Sequence, residues 1–124
     1  MLDRRTRRSE DIITALHYQL SATRRMAELD AVVLVDDSGC LVAGAGAWPI
    51  CEELAAYAPL LAHPWKIGNA IVGSRGARLK CDVEVHAIEI DGCEVILCGS
   101  GGSAERSACI ERAADGCRRI LGAA

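Results

Sequence analysis

Residues 31–46 read AVVLVDDSGCLVAGAG, and this stretch decides the fold. Ala31–Val35 is a short, largely β-branched run. Asp36, Asp37, Ser38 and Gly39 are turn residues, and Cys40–Ala43 is a second apolar run. Two strands joined by such a turn make a β-hairpin. Gly44 and Gly46 then interrupt the strand pattern.

Helical stretches flank the hairpin. Residues 1–8 carry Arg4, Arg5, Arg7 and Arg8 and read as a basic, frayed N-terminal tail. Ser9 is a good N-cap, with Glu10 and Asp11 placed to favour the helix dipole. Ile13, Leu16, Leu20 and Ala27 follow on one face at helical spacing, while Arg24, Arg25 and Glu28 face outward. After the hairpin, Pro49 suits the first position of a helix. Ile50, Leu54, Tyr57 and Leu61 continue an apolar stripe across Pro59. A proline inside a helix removes one backbone hydrogen bond and clashes with the carbonyl four residues earlier, here that of Ala55. The expectation is a kinked helix over about residues 49–62, or two short ones, ended by Pro64. Residues 65–76 (WKIGNAIVGSRG) fit a helical turn at Ile67 and Ile71 and a loop at Gly68, Gly73 and Gly76.

From Leu79 the apolar positions alternate. Leu79, Cys81, Val83 and Val85 point one way, and Lys80, Asp82, Glu84 and His86 the other. The phase switches near Ala87, after which Ile88 and Ile90 are the apolar positions. A bulge or a break between two strands would produce such a switch. Asp91-Gly92 is a strong hairpin signal. Cys93–Cys98 ends in a continuous apolar run, as a central strand would. Gly99–Gly102 is a loop. Ser103 caps a last helix whose apolar face is Ile110, Ala113, Ala114, Cys117, Ile120 and Leu121. Gly116 within it costs about 1 kcal/mol relative to Ala.

Composition narrows the function classes. The chain has 124 residues, one domain's worth, expected over residues 9–122. With 51% hydrophobic and 25% charged residues it has a globular balance, not a disordered one. No apolar run approaches the ~20 residues needed to span a bilayer. The basic start leads into no apolar stretch of the kind a secretory signal carries. The net charge of −3 argues against reading nucleic acid through its phosphates. The seven cysteines are odd in number and include no C-x-x-C, so reduced thiols in the cytoplasm are expected, without a disulfide framework or a zinc site. Phe is absent, and Trp48, Trp65, Tyr18 and Tyr57 are the aromatic residues. The core must therefore be built from aliphatic side chains, alanine and cysteine.

Few residues invite chemistry. Gly99–Ala104 (GSGGSA) follows a strand, opens a helix and matches G-x-G-x-x-A, whose free N–H groups could hold phosphate. Only one helix follows, however, so no dinucleotide-binding βαβ unit can be completed. His63 reads as a loop residue and His86 as a solvated strand residue, and no nucleophile motif accompanies them. Asp36 with Asp37 is turn chemistry, and Glu52 with Glu53 fits the first turn of a helix. No catalytic residue, cofactor or metal is expected. The arginine pairs Arg24–Arg25, Arg75–Arg78 and Arg118–Arg119 read as solvated faces, or more sharply as docking surfaces for an acidic partner.

The resulting order is α-β-β-α-β-β-β-α, an α/β chain of the α+β type. This order resembles the roadblock/LC7 family over about residues 9–122. AVVLVDDSGCLVAGAG at 31–46 looks like that family's first hairpin, EELAAYAPLL at 52–61 like its Ala-rich second helix, and CEVILCGSGG at 93–102 like its last strand. The resemblance implies a five-stranded antiparallel sheet with helices on both faces. It also implies a homodimer joined through the third strands, here Leu79, Cys81, Val83 and Val85. Such pairing would remove an exposed edge.

Members of the family are not enzymes in their own right. They are scaffolds and regulators of Ras-like small GTPases, and bacterial relatives act in cell polarity and gliding motility. The function implied is a non-catalytic homodimeric adaptor that binds a Ras-like GTPase or a paralogous roadblock protein. Candidate partner-binding residues are Glu52, Glu53 and Ala56 on the second helix, with Arg24 and Arg25 as another surface. A GTPase-activating protein is the alternative on the same fold, acting by ordering the GTPase's own catalytic groups. A ligand sensor of PAS or GAF type would need a cavity between sheet and helix with converging polar or aromatic groups, which four aromatic residues supply poorly. Neither nucleic acid nor membrane insertion is expected.

Overall fold

The computed structural model describes residues 4–63 and 83–122, with side chains from Glu10 onward. Its elements are α1 (Arg4–Ala27), β1 (Leu29–Asp36), β2 (Leu41–Gly46), α2 (Trp48–Ala62), β3 (Val83–Ile90), β4 (Cys93–Gly101) and α3 (Arg106–Gly122). The helix expected from Ser9 starts at Arg4 instead. Arginine is a good helix former and nothing in residues 4–8 breaks a helix, so the first turn extends through the basic stretch. At the other end Glu28 takes a positive φ of 56°, and the chain turns directly into β1.

The Asp36–Gly39 turn closes the first hairpin as its composition predicts. The Asp36 carboxylate accepts hydrogen bonds from the Ser38 amide (3.0 Å), the Ser38 hydroxyl (2.7 Å) and the Cys40 amide (2.9 Å). These bonds favour the ionised form and hold its pKa below the ordinary aspartate value, with the Ser38 hydroxyl the largest contributor. The β1–β2 register runs from Ala31 opposite Gly46 to Val35 opposite Leu41, with one irregularity between Leu34 and Val35. At the far end Gly46 has a φ of +119°, and a Cβ there would lie 2.5 Å from the Asp30 carbonyl oxygen. Only glycine fits that close approach.

Pro49 sits in the first turn of α2, as expected. Pro59 does not split the element: α2 is one helix from Trp48 to Ala62, closed by the His63 amide donating to the Pro59 carbonyl at 3.1 Å. Packing on the sheet offsets the lost bond, since Leu54, Ala55 and Ala58 are all buried beneath it.

The four described strands form one antiparallel sheet in the order β2-β1-β4-β3. The fifth strand expected from the sequence is not among the described residues; its start at Leu79 and Cys81, and the stretch 65–76, lie outside them. Asp91 and Gly92, both at positive φ, make the tight β3–β4 turn. The bulge or break expected near Ala87 is absent. β3 pairs with β4 without interruption from Val83 opposite Ser100 to Ile90 opposite Cys93. The phase switch has another cause: the strand is covered on both faces in turn. Val83 and Val85 pack toward α2, while Ile88 and Ile90 pack toward α1 and α3.

The same division runs through the whole sheet. Val32, Leu34 and Leu97 join Leu16, Leu20, Ile110, Ala113 and Cys117 beneath α1 and α3. Ala31, Val33, Val35, Ile96 and Cys98 join Cys51, Leu54, Ala55 and Ala58 beneath α2. Burial pushes the Cys98 thiol up to about 12 and the Cys117 thiol to about 11, so both are protonated, inert core side chains.

Candidate interaction surface

Among the described elements, α2 is the one helix on its side of the sheet, and one side of it is exposed. Its sequence, WPICEELAAYAPLLA, carries no basic residue and is mostly apolar. Cys51, Leu54, Ala55 and Ala58 point to the sheet. Glu52 and Ala56 are exposed and lie one helical turn apart on the outward side, while the adjacent Glu53 is half-buried at its flank. Sequence reasoning misses their neighbours. Trp48, Pro49 and Ile50 open the helix and are exposed, Trp48 at 60%. A signal for them exists, because Trp48 stands outside the stripe that buries Leu54. The surface is thus an apolar start followed by carboxylates, a combination that suits a protein partner with an apolar pocket and a basic rim.

The C-terminal end of α2 is anchored. His63 and Glu94 make a side-chain contact that ties the helix to the start of β4. His63 is therefore not the loop residue its sequence neighbours suggest; it is the cap of α2, at 16% exposure.

Arg24 and Arg25 occupy the last turn of α1, on the other face of the sheet. With Tyr18, Ser21, Ala45 and Gly46 they line a groove of about 340 Å³ beside the end of β2. Arg24 Nε donates to the Asp30 carbonyl at 3.4 Å. Its charge also reaches the Cys51 thiol, where it opposes the upward pKa shift caused by burial. The two candidate surfaces therefore flank the β2 edge, one on each side, and do not merge.

Of the expected dimer residues, Val83 and Val85 lie on β3, at the outer position of the described sheet, with side chains turned toward α2. Leu79 and Cys81 lie outside the described residues.

Gly99–Gly101 are not the loop the sequence suggests: they continue β4, paired with Val32, Ala31 and Leu29 of β1, and the Gly99–Ala104 stretch forms no amide cradle for phosphate. The Ser103 amide donates to the Ala27 carbonyl at 2.9 Å, and the Glu105 amide to the Ser103 hydroxyl at 3.2 Å. The Arg106 guanidinium holds the Gly101 carbonyl at 3.0 Å. The Asp30 carboxylate stands where a Gly101 side chain would be, and its charge would repel phosphate. Among the described residues, no group of three or more His, Cys, Asp or Glu side chains could hold a metal ion. No described helix is long and apolar enough to cross a membrane.

No protein-family model matches the sequence, and no curated protein matches it. Solved structures do match. MglB of Myxococcus xanthus aligns with a TM-score of 0.58 at 14% identity, covering 99% of this chain and 94% of that one. A gliding protein, MglB from Thermus thermophilus, aligns with a TM-score of 0.52 at 17% identity over 100% and 96% of the two chains. An MglB with a tetrameric arrangement gives 0.52 at 14% identity over 88% and 89%. At such identities the likeness is one of fold. The chain has the α+β fold of these MglB structures, which is the roadblock-like fold that its hairpin and element order resemble.

Proposed function

We propose that this chain is a homodimeric, non-catalytic regulator that binds a Ras-like small GTPase, or the complex that regulates one, in bacterial cell polarity or gliding motility. The observation that carries the reading is the uncovered side of α2, Trp48–Ile50 followed by Glu52 and Ala56, on a chain that shares the MglB fold over nearly its whole length. An apolar anchor beside charged groups is the usual make-up of a binding hot spot and its rim. The gliding-protein description of one structural neighbour supports the motility assignment. Self-association is supported by the tetrameric arrangement described for another. In this reading the interface is formed by the β3 side of the sheet, where Val83 and Val85 lie, together with Leu79 and Cys81, which are outside the described residues. An adaptor of this kind works in the cytoplasm and needs no cofactor.

The test mixes the chain with a Ras-like GTPase from the same organism, loaded with GTP. Co-elution and hydrolysis are followed together. Co-elution with an unchanged hydrolysis rate is the expected result. Co-elution with faster hydrolysis would make the chain a GTPase-activating protein. Absence of co-elution with the GTPase or a paralogous regulator would overturn the reading.

A further inference from the structure

A second surface lies on the face opposite α2. The α1–α3 pair encloses a groove of about 560 Å³. Its floor is closed and largely apolar: Thr23 and Cys109 are 4% exposed and Ala113 is fully buried. The Thr23 hydroxyl is spent on the Gln19 carbonyl at 2.8 Å. Gly116 sets the depth, because the Gln19 amide occupies the space a side chain would fill there, which lets the helices approach closely. Met26, 59% exposed, stands at one wall as an uncovered apolar side chain.

The charge at this groove runs against that of the chain. The protein carries −3 overall, yet three arginines and a single carboxylate line the groove. That carboxylate, Asp115, is engaged by Arg118 at 3.1 Å. Arg112 leans over the floor, with Nη2 3.5 Å from Cys109 Sγ. Neither Arg112 nor Arg119 is ion-paired among the described residues, and both are exposed. They stand seven positions apart on α3, which separates their Cα atoms by about 10 Å on one side of the helix. That spacing suits two carboxylates on a peptide better than one phosphate. The concave shape and the exposed Met26 suit an inserted side chain better than a lipid surface, which a negatively charged protein would also approach poorly.

We propose that the α1–α3 groove is a docking site for an acidic segment of a protein partner. Carboxylates on the segment meet Arg112 and Arg119, and an apolar side chain packs on Met26 and the groove floor. This site is separate from the α2 surface and does not depend on GTPase binding there.

The probe is a fluorescein-labelled helical peptide of glutamate and leucine, titrated with the full chain and followed by anisotropy. Saturable binding is expected, weakened by salt and by replacing the glutamates with glutamine. The double substitution R112E/R119E should weaken binding about tenfold or more, and Met26→Ser about threefold, on the scale of one ion-pair or apolar contact. All three side chains are exposed, so an unchanged circular dichroism spectrum and melting curve would certify the variants. Four outcomes would overturn the proposal: equal affinity for the glutamine peptide, no effect of R112E/R119E, preference for phosphatidylglycerol vesicles or inorganic phosphate, or loss of self-association in R112E/R119E with peptide binding intact.

Discussion

Glu84 on β3 accepts a hydrogen bond from the Ser107 hydroxyl on α3 at 2.8 Å. Arg106 stands 3.8 Å from the same carboxylate. A strand residue on the α1–α3 side thus fastens the first turn of the last helix. A charge-assisted hydrogen bond at this partial exposure contributes about 1 kcal/mol. Glu84→Ala should lower stability by about that amount in urea denaturation, and Ser107→Ala by somewhat less. A double-mutant cycle should return a coupling energy of roughly 0.5–1 kcal/mol; strict additivity would mean that the contact contributes nothing.

Two glycines separate conformational strain from collision. Gly92 has a φ of +80° with no atom within 4 Å of where a Cβ would stand, so Gly92→Ala meets strain alone, about 1 kcal/mol. At Gly46 a Cβ would meet the Asp30 oxygen at 2.5 Å and the Ala31 Cα at 2.8 Å. Gly46→Ala should therefore cost roughly 3 kcal/mol or more. Thermal melts of the two variants should rank in that order.

The Asp36 turn gives the fold a pH dependence of predictable sign. Its pKa is lowered in the folded state from the ordinary 3.8. The ionised carboxylate therefore contributes stability above that value, and the contribution fades as pH falls through the folded-state pKa. Asp36→Asn should be less stable than the parent at pH 7, with the gap closing below about pH 4. A gap independent of pH would locate the effect in turn shape instead of charge.

Thiol chemistry should divide the described cysteines by layer. Cys40 and Cys93 are exposed, whereas Cys51, Cys98, Cys109 and Cys117 are buried. With Cys98 at about 12 and Cys117 at about 11, thiolate is scarce at both. Iodoacetamide at pH 8 should modify Cys40 and Cys93 within minutes, and Cys98 and Cys117 only at the rate of unfolding, as read by peptide mass spectrometry.

On the α2 surface, Trp48→Ser and Glu52→Lys remove exposed groups, so each should change stability by less than about 0.5 kcal/mol. Each should nevertheless weaken binding to a Ras-like GTPase by about tenfold, because truncating an aromatic anchor or reversing a rim charge acts on the interface alone. Unchanged binding by both variants would remove α2 from the interface.

The parts of this fold written in local chemistry are legible in the sequence. The Asp36–Gly39 and Asp91–Gly92 turns, the start of α2 at Pro49 and the buried face of α3 need only a few neighbouring residues to specify them. Misreadings arise where a distant element decides. The phase switch in β3 looks like a bulge until α2 is seen covering Val83 and Val85 and the opposite layer covering Ile88. Pro59 looks like a helix break until packing on the sheet holds α2 together. Ser9 looks like the start of α1 because it caps well, yet Arg4–Arg8 propagate a helix better than they fray. At the candidate surfaces the sequence identifies Glu52, Ala56, Arg24 and Arg25 as outward residues. It does not separate them onto opposite faces, nor single out the groove between α1 and α3, because both depend on how the helices pack on the sheet and on each other.

The division of β1 between two cores has a bearing on motion. Its alternate side chains feed opposite layers, so each layer is closed off from the other by a hydrogen-bonded sheet. On one side α1 and α3 brace each other; on the other, among the described elements, α2 packs by itself, and three of its four buried residues, Cys51, Ala55 and Ala58, are small. The α2 layer is then the cheaper one to lift, and its amides should exchange with heavy water through partial opening while those of β1 and β4 wait for the whole molecule. A protein that settles on α2 would then announce itself as slowed isotope exchange confined to one helix, a local tightening that a global melting temperature would average away.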